Sequence, residues 1–454
     1  MAFIARHLTA VAAVALFCLS SITATSGEAE AREINYRMKI EQVQSPGGIN
    51  AWLVSEPTVP LIALRFAFKG GSAQDPEGKP GVANFLTAML DEGAGDLKAS
   101  EFQERMEDIA MRMGFSEGRD AFYGSVQTLS ANKDEAFGLL TLALTRPRFD
   151  ADAIERTRKQ LLTNLVFAAK NPNTVAQKEW WAGAYPDHPY GRPSSGTIES
   201  VEKISAQDLA DYRNRIFARS NLKVAVVGDI TAAELAPLLD QIFGQLPDEA
   251  NLAEVPPAKI TTRIKPNVIE MPFPQSVVVL GLEGILRHDP DFMSAFVMNH
   301  ILGGSGFSAR LMQEVREKRG LAYSVSSHLI PYDKSAVILA FVATQNEKVA
   351  QSIDVIRNEM HRLAAEGVTA EDLANAKSYL TGSYPLRFDT NSKIASQLLS
   401  IQLEELGIDY VETRNEKINA VTQNDIQRLA QSLLKADALS ITVVGQPQNL
   451  TPGG

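Results

Sequence analysis

The chain has 454 residues, which is too long for one ordinary hydrophobic core and favours two or more domains. Apolar residues make up 45% and charged residues 22%, which is the balance of a globular protein and excludes long-range disorder. The formal net charge of −10 comes without basic clusters, which makes the chain a poor candidate for binding nucleic acid or anionic membranes.

Residues 1–31 have the features of a secretory signal peptide. A basic start at Arg6 precedes the apolar run Leu8–Leu19, and the small residues Ala29 and Ala31 form a site that signal peptidase reads. The run is shorter than the ~20 residues that a membrane-spanning helix needs. We therefore expect cleavage after Ala31 and a periplasmic or secreted protein without stable membrane insertion. The alternative is an N-terminal anchor that stays in place.

Strand and helix patterns alternate along the rest of the chain. Leu61–Lys69 alternates with a period near two and predicts a strand. Pro80–Glu92 predicts a helix, with proline at its start and Gly93 at its end. Ala151–Ala169 predicts a second, longer helix, which the following Asn-Pro pair ends.

The chain also repeats itself. The helix-and-strand unit 204–228 corresponds to 421–445 at an offset of 217 without a gap, and 149–154 corresponds to 368–373 at an offset of 219. A period this long indicates two homologous α+β domains and not a solenoid. We expect an N-terminal domain over 32–247, a linker rich in proline and charge over 248–266, and a C-terminal domain over 267–454.

The stretch Gly81–Leu90 resembles the motif helix of the His-x-x-Glu-His zinc peptidases. In that helix two histidines one turn apart hold zinc, and the glutamate between them activates a water. Here Asn84 and Ala88 stand at the histidine positions, and Thr87 stands at the position of the glutamate.

Two further stretches, Tyr185–Gly191 and Leu302–Leu311, resemble loops of the pitrilysin/insulinase family, and the likeness covers nearly all of the mature chain. The family implies two domains, each a mostly antiparallel sheet packed with helices, arranged as half of a clam shell. It also implies a third metal ligand, a glutamate, where this chain has Asn164. Because every ligand and the base are replaced, we expect this chain to bind no zinc and no other cofactor.

The second half carries a different signature. Arg316 and Tyr323 resemble the arginine/tyrosine pair that the family places opposite its zinc site. Arginine supplies a permanent charge and tyrosine a neutral hydroxyl donor, and both can stabilise the oxyanion of peptide hydrolysis. The residues also fit an ordinary helical charge run with a core tyrosine. Arg319, closer to the turn, is an alternative partner for Tyr323.

Some bacterial members of the family work as pairs in which one subunit bears the zinc motif and the other the arginine/tyrosine pair. The resemblance therefore implies a non-zinc-binding partner subunit of a periplasmic heteromeric zinc endopeptidase. Its partners would be a homologous zinc-bearing subunit and a peptide or unfolded segment. The alternative is a structural or peptide-binding scaffold of the same fold. An active zinc peptidase is contradicted by the four replaced positions.

Signal cleavage after Ala31 gives a mature protein that begins at Arg32. N-terminal sequencing of the protein from a periplasmic fraction should read Arg32 first. A cytoplasmic protein that still carries Met1 would contradict the export prediction.

Overall fold

The structure is a computed structural model that describes residues 38–450 except Ile264 and Phe307. The signal peptide predicted over 1–31 and its cleavage site lie outside these residues. Within the described residues, helices pack around two large sheets. None of the helices among them combines the length and apolar character that crossing a membrane requires.

The first half of the chain forms the first sheet and its helices. The strands of this half are β1 (Glu41–Gln44), β2 (Asn50–Ser55), β3 (Leu61–Lys69), β4 (Gly93–Ala94), β5 (Leu97–Lys98), β6 (Arg112–Glu117), β7 (Ala121–Leu129) and β8 (Leu222–Gly228). Of these, β4 and β5 pair with each other in a small separate sheet. Its helices are α1 (Val82–Thr87), α2 (Ala99–Asp108), α3 (Lys133–Thr145), α4 (Ala151–Ala168), α5 (Pro172–Ala184), α6 (Ile198–Lys203), α7 (Ala206–Ile216) and α8 (Ala232–Phe243).

The second half forms the second sheet and its helices. Its strands are β9 (Asn267–Glu270), β10 (Gln275–Glu283), β11 (Ala322–Pro331), β12 (Ala336–Gln345) and β13 (Ser440–Gly445). Its helices are α9 (Phe292–Gly303), α10 (Val349–Glu366), α11 (Ala370–Gly382), α12 (Asn391–Leu403), α13 (Tyr410–Asn419) and α14 (Gln423–Leu433).

The two sheets share a topology, apart from the additional edge strand β1 of the first sheet. The first has the strand order β1-β2-β8-β3-β7-β6 and the second the order β11-β12-β10-β13-β9. In each sheet a long central strand pairs antiparallel with both neighbours, β3 with β7 and β8, and β10 with β12 and β13. In these sheets only the β2–β8 and β9–β13 pairs are parallel among the described strands. The predicted α+β fold of two domains with mostly antiparallel sheets is confirmed.

The three predicted elements occur, and only one of them differs from its predicted length by more than one residue. β3 has the predicted bounds, and α4 ends one residue before the predicted end. The helix expected over Pro80–Glu92 was predicted too long, because α1 covers only Val82–Thr87. The amides of Ala88 and Met89 donate to carbonyls three residues back, so the chain tightens into turns after Thr87 and reaches Gly93 at a φ of 104°.

One helix of each half packs on the sheet of the other half. α5 packs on the second sheet, where Trp180 contacts the core around β10 and its indole nitrogen donates to Ser440 O at 3.0 Å. α12 packs on the first sheet, and Gln402 Nε2 donates to Val224 O at 2.9 Å. Both bounds of α12 lie 219 positions after those of α5, which is the offset of the sequence repeat. The two exchanged helices are therefore equivalent members of the repeat.

The hairpin ends of the two sheets also meet. Asp120, between β6 and β7, accepts hydrogen bonds from the Tyr190 hydroxyl at 2.5 Å and from the backbone amide of Asp333, between β11 and β12, at 3.0 Å. The Arg119 guanidinium lies 3.8 Å from the centre of the Trp181 ring. Burial raises the pKa of the Asp120 carboxyl. The loop Tyr185–Gly191, singled out from the sequence, thus forms part of the joint between the halves.

The segment that joins the halves has no regular secondary structure over 250–263 but is hydrogen-bonded to both of them. The Thr261 amide donates to Ala184 O and the Ala258 amide to Lys334 O, each at 2.8 Å. These bonds hold the segment against α5 and against the β11–β12 turn. The exact domain bounds stay a prediction.

Gly281 on β10 lies against the Trp180 ring, and any side chain there would overlap that ring. We expect Gly281→Val to push α5 off the second sheet and to lower the free energy of unfolding by about 3 kcal/mol. The control is Gly138→Ala inside α3, where a methyl group meets no other atom within 4 Å. It should raise the free energy of unfolding slightly. Urea unfolding of the two variants measures both changes, and equal stability would contradict the role of Trp180.

Candidate functional site

Helix α1 is held by a buried carboxylate at its N-terminus. Asp75, 4% exposed, accepts hydrogen bonds from the amides of Gly81 at 2.7 Å and Ala83 at 2.8 Å. Burial raises the pKa of the Asp75 carboxyl to about 7 against the opposing effect of these two bonds. Gly81 has a φ of 98°, and an added Cβ would collide with the backbone of Gly196. The start of α1 is therefore rigid.

The polar side chains Asn84 and Thr87 of α1 form hydrogen bonds with nearby residues. The Thr87 hydroxyl donates to Asn84 O at 2.7 Å, so it caps its own helix. Asn84 Nδ2 lies 3.5 Å from the Glu117 carboxylate at the end of β6. Burial raises the pKa of Glu117, and hydrogen bonds from Asn84 and Ser194 oppose that rise. Ala88 offers no donor atom to a metal.

The remaining position of the expected metal site lies on α4. Asn164 is exposed and accepts a hydrogen bond from Gln160 on the same helix at 2.9 Å. Glu92, which follows α1, pairs with Arg156. In residues 38–450 without 264 and 307, no three histidine, cysteine or acidic side chains are grouped so that they could hold a metal ion.

The structure brings Arg316 and Tyr323 together. The Arg316 guanidinium carbon lies 4.7 Å from the centre of the Tyr323 ring, and its Nε lies 3.4 Å from Glu317. Tyr323 is 81% exposed, the highest value among the large apolar and aromatic side chains of the described chain that reach the surface. Its phenol group is therefore accessible to a second molecule.

The same geometry decides between the two arginines. Arg319 Nη1 donates to the Glu314 carbonyl at 2.9 Å and to its carboxylate at 2.5 Å. Arg319 is thus held at the turn that follows the π-helical segment Met312–Glu317. Of the two arginines, Arg316 is therefore the one that contacts the Tyr323 ring.

Glu314 is the hub of this turn, and sequence reasoning missed it. Its carboxylate is 9% exposed and also contacts Lys318 at 2.7 Å and Arg362 of α10 at 3.3 Å. Hydrogen bonds from Lys318 and Arg319 lower the pKa of Glu314 to about 2. The spacing of Glu314 and Lys318 by four residues was the available signal, but it also occurs on ordinary exposed helices.

A bulge at the start of β11 sets the direction of Tyr323. Ala322 pairs with Thr344 and Val325 with Val342, so the register shifts across Tyr323. The Thr344 hydroxyl donates to Leu321 O at 2.6 Å and fixes the strand just before the bulge. An accessible tyrosine, with an arginine stacked on it and rigid supports behind it, can donate a hydrogen bond to a bound oxyanion.

Comparison with known proteins agrees with this geometry. The model of the insulinase peptidases, family M16, matches residues 51–198, and the model of the M16 inactive domain matches residues 203–380. The chain belongs to the insulinase family. Its fold is of the inactive type within that family.

Curated relatives of the insulinase family align over most of their length. A Helicobacter pylori protein named non-peptidase homolog YmxG is 24% identical over 391 residues, which is 85% of this chain and 89% of that protein. An uncharacterized zinc protease of Rickettsia bellii is 24% identical over 412 residues, covering 89% and 97% of the two chains.

Solved structures show the same fold. The peptidase M16 inactive domain from Pseudomonas fluorescens matches with a TM-score of 0.85 and 28% identity, covering 91% of this chain and 100% of that one. A protease from Helicobacter pylori matches with a TM-score of 0.81 over 90% of this chain and 100% of that one, and its 19% identity carries the fold alone.

The ion pairs of Glu314 predict that the free energy of unfolding depends on pH. The pKa of Glu314 is lower in the folded chain than in the unfolded chain, so its contribution to stability is present above pH 4.5 and is lost as the pH falls towards 2. Because Lys318 and Arg319 are half exposed, water screens part of this effect. We expect Glu314→Gln to cost about 2 kcal/mol at pH 7.

Urea unfolding of wild type and Glu314→Gln between pH 7 and pH 3 tests this prediction. The difference should be constant at neutral pH and shrink below pH 4.5. Glu317→Gln, on the exposed side of the same turn, is the matched control and should change stability by less than about 0.5 kcal/mol. A Glu314→Gln difference that grows on acidification would contradict the role of this carboxylate.

Proposed function

We propose that this chain is the non-zinc-binding partner subunit of an exported, heteromeric zinc endopeptidase. In this assembly a homologous subunit supplies zinc and the water that attacks the peptide bond. This chain supplies Tyr323 and Arg316 to the oxyanion that forms, and part of the surface that holds the substrate. The observation that carries the proposal is the accessible Tyr323 ring with Arg316 stacked on it.

The side chains at the α1 site support the proposal that a second subunit binds the zinc. Asn84, Thr87 and Ala88 leave α1 without a histidine or carboxylate where its zinc-bearing relatives place them. In a zinc peptidase, a tyrosine that donates to the oxyanion serves catalysis only where a zinc-bound water is also present. That water then belongs to a second chain, and a pseudo-symmetric pairing of similar folds is the simplest arrangement.

In the second half, the residues around Tyr323 are held in fixed positions by several contacts. Three cations converge on Glu314 behind the turn, and the bulge in β11 directs Tyr323 outward. Donors held before the reaction begins stabilise developing charge without reorganisation at that moment. A pure scaffold has no use for an exposed tyrosine supported in this way. The signal peptide predicted over 1–31 supports assembly of the pair in the periplasm.

Tyr323→Phe removes only the hydroxyl donor and keeps the ring on which Arg316 stacks. In the reconstituted complex with the zinc-bearing homologue, we expect kcat and kcat/KM for peptide hydrolysis to fall by similar factors of roughly 10²-fold, with KM little changed. Gel filtration should show unchanged assembly. Arg316→Ala removes charge and packing together, so it is a less clean test.

Tyr379→Phe is the matched control, since Tyr379 is 49% exposed and stacks on His300 instead of an arginine. It should leave the rate unchanged. Wild-type rates from an assembled Tyr323→Phe complex would refute the catalytic role and favour the structural or peptide-binding scaffold.

A further inference from the structure

A groove of about 400 Å³ lies between α12 and the first sheet. It opens on the side of the sheet opposite to α1, because Leu64 and Phe66 of β3 share a core with α1 while Ala63 and Ala67 pack towards α12. The groove is therefore separate from the degenerate metal helix and from the Arg316–Tyr323 pair.

Arg65 projects from β3 on the groove side of the sheet. It alternates with Ala63 and Ala67 along the strand, and Ser125 of β7 is its cross-strand neighbour. The neighbours are small, so the long side chain has space around it. Its Nε is buried and has no hydrogen-bond partner in the described part of the chain.

The lining of the groove leaves this guanidinium without a counter-charge. Arg65 is the one charged residue among the lining residues of the described chain, and the others are glycine, serine, aromatic and leucine side chains. Burial lowers the pKa of the Arg65 guanidinium. By contrast, the similarly enclosed Arg310 contacts both Glu359 and Asp372. A chain with a net charge of −10 thus places a half-buried cation where no acidic side chain among its described residues pairs with it.

We propose that this groove binds a single carboxylate group of a peptide, with Arg65 as its charged donor. A guanidinium presents a fork of donors that matches a carboxylate, and a buried donor without a partner is stabilised when a ligand supplies one. Hydroxyl groups of Ser116 and Ser400 line the same groove and add neutral donors.

One guanidinium in a strongly acidic chain suits one negative charge and disfavours a phosphate dianion. The volume of about 400 Å³ is large enough for an acidic side chain or a chain terminus, and on a peptide the carboxylate comes from a Glu or Asp side chain or from a C-terminus. The choice of a peptide as the carrier rests on the proposed function, while the carboxylate chemistry rests on the groove alone.

The test uses the chain by itself and three short acetylated alanine-serine peptides. The first has one internal Glu and an amidated C-terminus, the second has Gln in its place, and the third is the Gln peptide with a free C-terminus. Isothermal titration should show at least about tenfold tighter binding of one of the two acidic peptides over the neutral one. The arm that binds identifies the source of the carboxylate.

Arg65→Gln should abolish this preference, and Arg65→Lys should keep part of it. Lys69→Gln is the matched control, because Lys69 lies on the same strand and face but pairs with Glu405 outside the groove. It should keep the full preference. Since Arg65 has no partner for its Nε, Arg65→Gln should melt at or above the wild-type temperature, which separates loss of binding from loss of folding.

Equal binding of the three peptides, no binding at millimolar concentration, or a preference that survives Arg65→Gln would each overturn the proposal. Because the assay contains no zinc subunit, its failure leaves the role of Tyr323 standing. Conversely, loss of the Tyr323 effect in the complex would leave carboxylate binding by the chain alone intact.

Discussion

The exchange of helices between the halves is the constraint on which the rest of the molecule depends. The first sheet has its outer face covered by α12 from the second half, and the second sheet has its face covered by α5 from the first. Neither sheet can bury both faces with helices of its own half, so the halves fold as one body. The hairpin joint around Asp120 and Tyr190 then fixes the ends of the sheets against each other.

This rigid body carries two sites in different states. At α1 the helix is still capped by Asp75, although the side chains at the metal-ligand positions are amide and methyl groups and the one at the position of the base is a hydroxyl group. The capped helix of the site is therefore present, but the side chains that would bind a metal and activate a water are not. At the β11 bulge the opposite holds, since Glu314 forms ion pairs that support the turn just before the exposed Tyr323. Support of this kind is consistent with a group that must be positioned before a substrate arrives.

Much of the fold could be predicted because the sequence contains the same structural unit twice. The offset near 217 related segments that the structure places in matching sheets, and the period of β3 marked its bounds. The Arg316–Tyr323 pair was predicted from motif resemblance, but the choice over Arg319 needed the contacts of Glu314. The early end of α1 depends on turn bonds that helix periodicity does not encode.

The exchanged helices and the groove at Arg65 could not be predicted, for a common reason. Both depend on which half covers which sheet face, and a hydrophobic pattern says only that a face is covered. Arg65 in particular breaks the alternation of an otherwise apolar strand, and sequence alone does not tell a solvated arginine from one enclosed without a partner. Only the packing of α12 against β3 reveals the difference.

The central claim is that zinc and its water come from another chain, and the zinc content of the purified protein tests it most directly. Elemental analysis of this chain alone should find far less than one zinc per molecule, and the reconstituted complex with the zinc-bearing homologue should hold one per pair. One zinc per molecule of this chain alone, lost on Asn164→Ala, would contradict the account.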